Sequence, residues 1–241
     1  MTFPVRESVT GTTGDTNEFN NFDFDLPATI NAGDVLVAII AARTPTPGGE
    51  LSGWTELVYL DRFMLLAVWI KDATGVEGST ETASWPESAS TISVQCLRLT
   101  GTTASDVEAA FSSTGLSAAP SPPSLTHTGS GDILWLAGAV FNDDEDSVTA
   151  YSSGFTGGVA TYYRGGLNNS SGVAHAYLED ATSSKTPGDL TLDQFERWYA
   201  FTLGALGEAG GTTGDAIQSI AGYGGIAGPG GIAGRSGGIA G

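Results

Sequence analysis

The densest group of ionisable side chains in the chain is Asn142-Asp143-Asp144-Glu145-Asp146-Ser147, four adjacent carboxylates directly after an apolar run. Carboxylate oxygens are hard ligands, so Asp143, Asp144 and Asp146 are the candidate cation contacts, with calcium the ion that suits them. The run lacks the fixed ligand spacing of an EF-hand loop, and a solvated turn accounts for the same residues, so no resident metal is expected. His127 and His175 are the two histidines, and neither has a partner at metal-ligand spacing or a nucleophile beside it. Paired carboxylates for glycan hydrolysis need only meet in space, and 27 Asp and Glu leave that pairing unconstrained. The residue types point away from an enzyme and away from any cofactor.

Aromatic rings offer a second chemistry, because a ring on an exposed β surface can stack on a sugar. Trp54, Trp69, Trp135 and Trp198 stand beside apolar strand residues and are expected in the core. Trp85, in Ser84-Trp85-Pro86-Glu87, has the most loop-like neighbours and is the candidate contact for a host-surface glycan. A polysaccharide-binding adhesin module is therefore the rival class to a purely structural protein.

The 27 Asp and Glu stand against 9 Lys and Arg, a formal net charge of −18. Such a surface repels phosphate backbones and anionic lipid headgroups, so neither nucleic acid nor membrane is an expected partner. The longest core-like run, Val35 to Ala42, is far below the roughly 20 residues a membrane helix needs. The first residues, Met1-Thr2-Phe3-Pro4-Val5-Arg6-Glu7, lack the apolar segment of a secretory signal. Cys96 is the single cysteine, so no intrachain disulfide is expected.

The elements that must position these groups read as strands. Short apolar or alternating runs are separated by Gly, Pro, Ser, Thr and Asp clusters, with little helical period. Val35-Leu36-Val37-Ala38-Ile39-Ile40 and Ile133-Leu134-Trp135-Leu136-Ala137 are continuous enough for central strands. Ile92-Ser93-Val94-Gln95-Cys96 and Val173-Ala174-His175-Ala176-Tyr177 alternate, sending successive side chains to opposite faces. The chain also echoes itself. Gly33-Asp34-Val35-Leu36 returns as Gly131-Asp132-Ile133-Leu134, Ser52-Gly53-Trp54 as Ser153-Gly154-Phe155, and Val68-Trp69-Ile70-Lys71-Asp72-Ala73-Thr74 as Ala176-Tyr177-Leu178-Glu179-Asp180-Ala181-Thr182. Two similar strand sets with apolar faces are satisfied by packing on each other. The expected fold is all-β: a two-layer antiparallel β-sandwich, jelly-roll-like and pseudo-duplicated, over residues 1–206. Its halves run from about 30 to 111 and 129 to 206, with an extended linker around Ser112 to Thr128.

After Leu206 the composition changes, and residues 207–241 read as a glycine-rich extended assembly tail, with 14 Gly among 35 residues. Gly222, Gly225, Gly228, Gly231, Gly234 and Gly237 fall at every third position, a Gly-X-Y frame. Ile220, Ile226 and Ile232 recur every six residues, two turns of a three-residue extended helix, and so form one apolar stripe that wants a partner surface. Pro229 is the only proline of the segment, so the β body is expected to trimerise first and hold the tails in register.

The order Gly-Asp-Val-Leu-Val-Ala-Ile, Gly-Trp-Thr-Glu-Leu, Leu-Ala-Val-Trp-Ile-Lys-Asp-Ala and Val-Gln-Cys-Leu-Arg-Leu-Thr-Gly resembles a loose group of β-sandwich proteins of tailed phages and prophages. Similar glycine-rich triplets occur in phage fibres and adhesins. The resemblance spans roughly residues 30–206 and rests on core and turn patterns, so it implies a fold and a virion setting without a catalytic residue. The implied role is capsid decoration or head fibre, with a tail-fibre or tail-tip component as the alternative. The implied partners are further copies of the chain, as a homotrimer, and another virion protein such as the major capsid protein. Such proteins fold in the host cytoplasm and leave by lysis, in keeping with a chain that looks adhesive without an export signal.

Overall fold

The computed structural model describes residues 2–15, 20–43, 49–62, 64–85, 91–112, 115–142, 148–164 and 170–208. The candidate cation contacts Asp143, Asp144 and Asp146 lie outside the described residues, as does the tail set Gly222, Gly225, Ile226, Gly228, Gly231, Ile232, Gly234 and Gly237.

The first half contributes β1 (Val5–Asp15), β2 (Asn21–Asp25), β3 (Val35–Arg43), β4 (Glu50–Leu51), β5 (Thr55–Leu60), β6 (Leu65–Asp72), β7 (Thr80–Ser84) and β8 (Thr91–Thr100). The second contributes β9 (Val107–Phe111), β10 (Gly115–Ser117), β11 (Leu125–Thr126), β12 (Ile133–Asn142), β13 (Val148–Ala150), β14 (Thr156–Arg164), β15 (Ser170–Asp180), β16 (Ser184–Lys185), β17 (Thr191–Leu192) and β18 (Glu196–Leu206). A single 3-10 turn, Ala104–Asp106, is the only helical element among the described residues.

All pairing is antiparallel. One large sheet runs β1-β8-β3-β6-β5; the other runs β10-β18-β12-β15-β14, with β9 also paired to β18. Three small sheets, β2-β7-β4, β11-β16 and β13-β17, complete the described strands. The second half thus repeats the strand plan of the first: β9 and β10 take the place of β1, β18 of β8, β12 of β3, β15 of β6 and β14 of β5.

Beyond the two expected layers, the small sheets add an outer cover on each side. The large sheets do meet face to face, across a core that joins Val35, Val37, Ile39, Leu66, Val68 and Leu97 to Leu134, Leu136, Val140, Val173, Phe201 and Leu203. Each large sheet also buries its other face. Leu36, Ala38, Ile40, Trp69, Val94 and Cys96 pack against Phe24, Leu51 and Ala83 of the small sheet β2-β7-β4. Ala139, Phe141, Ala174 and Trp198 pack against Leu190 and Leu192, and Ile133 and Trp135 against Leu125. This is why β3 and β12 are unbroken apolar runs: a strand covered on both faces has no side to leave polar. Each fully buried Leu, Ile or Val contributes about 1.5–3 kcal/mol relative to exposure.

The internal echo holds strand by strand and fails residue by residue. Val35 pairs with Asp72 and Ile133 with Asp180, so the echoed segments begin corresponding strands at the same register. Yet Val35 faces the central core and Leu36 the outer cluster, whereas Ile133 faces outward and Leu134 inward. The echo is one residue out of phase with the packing, and in a period-two element one residue exchanges the faces. The segment expected as a linker is tied into the second half: Leu192 N–H donates to Ala118 O and Leu190 N–H to Pro120 O, both at 2.8 Å.

Candidate functional site

The described groups with the strongest chemistry are gathered where the two large sheets touch. β8 presents Ser93 and Gln95 to the opposite sheet, and β15 presents Ser171 and His175 to meet them; all four are buried. Arg6 of β1 donates through Nη1 to His175 Nε2 at 2.9 Å. Because that nitrogen accepts, the ring proton sits on Nδ1 and is donated to Gln95 Oε1 at 2.7 Å. The Gln95 amide then donates to Val173 O and Thr161 Oγ1, both at 3.2 Å, and to Val159 O at 3.3 Å. Ser93 donates to Ser171 O at 2.7 Å and accepts the backbone N–H of Tyr163 at 3.1 Å. Seven hydrogen bonds among nine residues of four strands are therefore locked into one seam, which fixes the register of one sheet on the other.

Burial first, and the Arg6 charge second, push the His175 imidazole down to about 3, so the ring is neutral at neutral pH. Arg6 is itself held below the usual guanidinium value by burial, against the opposing pull of Tyr177 and Tyr151. Its Cζ lies 4.5 Å from the Tyr177 ring centroid, a cation–π contact. Gly138, opposite His175 in β12, has no side chain because a Cβ there would collide with Ala174 O, the Phe201 ring and His175 Cβ. The Ser93 and Ser171 hydroxyls bond to each other and to the backbone, and the two His175 ring nitrogens are taken by Arg6 and Gln95. The seam's chemistry is that of a rigid, acid-sensitive joint.

His127 is also a structural ring. Nε2 donates to Asp106 O at 3.1 Å, and Nδ1 accepts the Gly129 N–H at 3.0 Å. Glu108 stands 3.8 Å from Nδ1 and takes both the backbone N–H and the hydroxyl of Thr128. Asp34, just after the Gly33 turn (φ 87°), accepts from Asn31 N–H at 2.7 Å and pairs with Arg98 Nε at 2.8 Å. Each of these carboxylates closes a turn.

Trp85, the candidate glycan contact, is a buried ring. It is 6% exposed and belongs to the outer core cluster with Phe24, Leu51 and Trp54. Pro86 made its surroundings look like a loop, but the ring folds inward beside Gly49, where a Cβ would strike the indole. The other four tryptophans are buried as well. Trp54 and Trp69, at 8% exposure each, line a depression of about 520 Å³ with Gly49, Glu50, Leu51, Ser52 and Glu56.

Sequence reading passed over the seam, because Ser93, Gln95 and His175 look like the wet side of alternating strands. The available signal was that both partner strands, β8 and β15, carry polar residues of matched size on the same phase. Among the described residues no group of three or more His, Cys, Asp and Glu is placed to hold a metal ion. No helix among them is long and apolar enough to cross a membrane. No protein-family model, no curated protein and no solved structure matches the chain.

Proposed function

We propose that this chain is a structural protein of a tailed-phage virion surface, a capsid decoration or head-fibre component. Its stacked β body presents a rigid surface, and its glycine-rich C-terminal segment joins three copies and attaches them to another virion protein such as the major capsid protein. Each half is read as a jelly roll: the large-sheet order of first, eighth, third and sixth strands, with second, seventh and fourth in the small sheet, is the order that fold takes. The fifth strand turns onto the large sheet in both halves.

The observation that carries the reading is the root of the tail. β18 lies between β12 and the β9/β10 edge, and Trp198 through Ala205 are buried, so it is a core strand that runs out directly into the glycine-rich segment. The exit is pinned: Gly207 N–H donates to Asp132 O at 2.8 Å and Glu208 N–H to Gly101 O at 2.9 Å. An assembly rod needs such a footing, whereas a simple spacer does not. The Gly-X-Y frame and the isoleucine repeat give the segment beyond it an apolar edge for neighbouring polypeptide.

The test is native mass measurement on the full chain and on a chain ended after Glu208, which keeps both pinning bonds. The full chain is expected at three times the 24.6 kDa chain mass, and to stay so at concentrations about tenfold or more below those at which the shortened trimer dissociates. Equal dissociation of the two trimers overturns the assembly role.

A further inference from the structure

Among the described residues, the first half leaves an open mouth. β4 is an edge of its small sheet and β5 an edge of its large sheet, and the turn Leu51–Trp54 joins them. The depression of about 520 Å³ lies in this mouth, with Trp54 and Trp69 as its floor. Glu56 stands directly across from Trp69 in the β5–β6 pairing, on the same face, and Glu50 comes from β4 on the other side. Both carboxylates are exposed, and neither has an ion-pair or hydrogen-bond partner among the described residues.

The cation already present is committed elsewhere. Lys71 Nζ lies 5.2 Å from the Trp54 ring centroid, but it pairs with Glu81 at 2.8 Å and with Glu77 at 3.8 Å. Two unpaired carboxylates over indole, on a chain of net charge −18, call for a positive group with an apolar face. A metal ion is a poor fit, because two indoles supply no ligands. A pyranose is a poor fit too, since it is neutral and leaves both carboxylate charges uncompensated. A guanidinium is flat, weakly hydrated and able to take two carboxylates at once.

We propose that the mouth between β4 and β5 is a receptor for an arginine side chain of a partner polypeptide, with Glu50 and Glu56 taking the guanidinium and the indoles of Trp54 and Trp69 beneath it. The site is independent of the tail and of the virion reading.

The probe is the peptide acetyl-Gly-Arg-Gly-amide, titrated into the full chain and followed by tryptophan fluorescence and by the indole N–H shifts of Trp54 and Trp69. A saturable response is expected. It weakens about tenfold or more in Glu50→Gln/Glu56→Gln, and disappears with the neutral citrulline peptide. The variant Glu179→Gln/Asp189→Asn makes the same change of net charge at exposed positions in the second half, and it leaves the affinity unaltered. No saturable response, or an equal loss in the two double variants, overturns the proposal. The latter result would mark diffuse attraction to an acidic surface.

Discussion

The buried seam makes the body acid-sensitive from about pH 6.5 downward, above the 4.5 at which Glu77 begins to act. His175 titrates near 6.5 when unfolded and is pushed down to about 3 in the folded chain, by burial and by Arg6. A histidine with a depressed folded value gives its full contribution above the unfolded value, and loses it as pH falls toward the folded one. Each pH unit within that window costs about 1.4 kcal/mol. From pH 7 to pH 5 the loss is about 2 kcal/mol, and it saturates near 5 kcal/mol once pH passes about 3. Protonation would also place a second cation 2.9 Å from the Arg6 guanidinium, on the nitrogen that now accepts its hydrogen bond. The control is His175→Gln, whose amide can accept from Arg6 and donate to Gln95 without titrating. Urea unfolding followed by tryptophan fluorescence at pH 7, 6 and 5 should show wild type losing about 2 kcal/mol more than the variant across the range. Equal slopes in the two proteins would refute the reasoning, because they would mean that the ring is hydrated or already charged in the folded chain.

Three further outcomes follow from the packing. Gly138→Ala aims a methyl at Ala174 O, Phe201 and His175 and should destabilise by about 1–3 kcal/mol, seen as a lowered Tm. Trp85→Ala removes a ring from the outer cluster and should cost about 3–5 kcal/mol in chemical denaturation; an unchanged midpoint would put the ring outside the core. Burial raises the Glu77 carboxyl, but hydrogen bonds from Thr74 N–H, Thr74 Oγ1 and Gly75 N–H more than offset this and bring it down to about 2. Its stabilising contribution is therefore complete above the ordinary 4.5 and fades as pH falls toward about 2, so Glu77→Gln should flatten the acid limb there and speed amide exchange over residues 73–79.

Much of the architecture was legible because burial leaves a period. The eight-residue apolar run from Val35 to Ala42 lies within a strand covered on both sides, and the repeated Gly-Asp and Ser-Gly-aromatic turns mark the same joints in both halves. The outer layers were not legible. β4, β11, β16 and β17 are two residues long and β13 is three, too short to carry any pattern. The phase slip between Val35 and Ile133 was hidden as well: identity aligned them, while only their neighbours across the sheets decide which way each points. Trp85 misled through Pro86, a local cue overridden by the tertiary cover from Phe24 and Leu51. The seam was invisible for a different reason. A buried polar residue looks like an exposed one until its partner strand is known, and Gln95 and His175 are separated by 80 positions in the chain.

The central claim is that the glycine-rich segment is an assembly rod footed on β18, and amide hydrogen exchange on the full-length oligomer tests it directly. The account predicts that Gly222 to Gly241 exchange slowly in the oligomer, in step with the body, because neighbouring polypeptide covers the isoleucine edge. Exchange across that stretch at the rate of an unstructured peptide, while β18 stays protected, would contradict it.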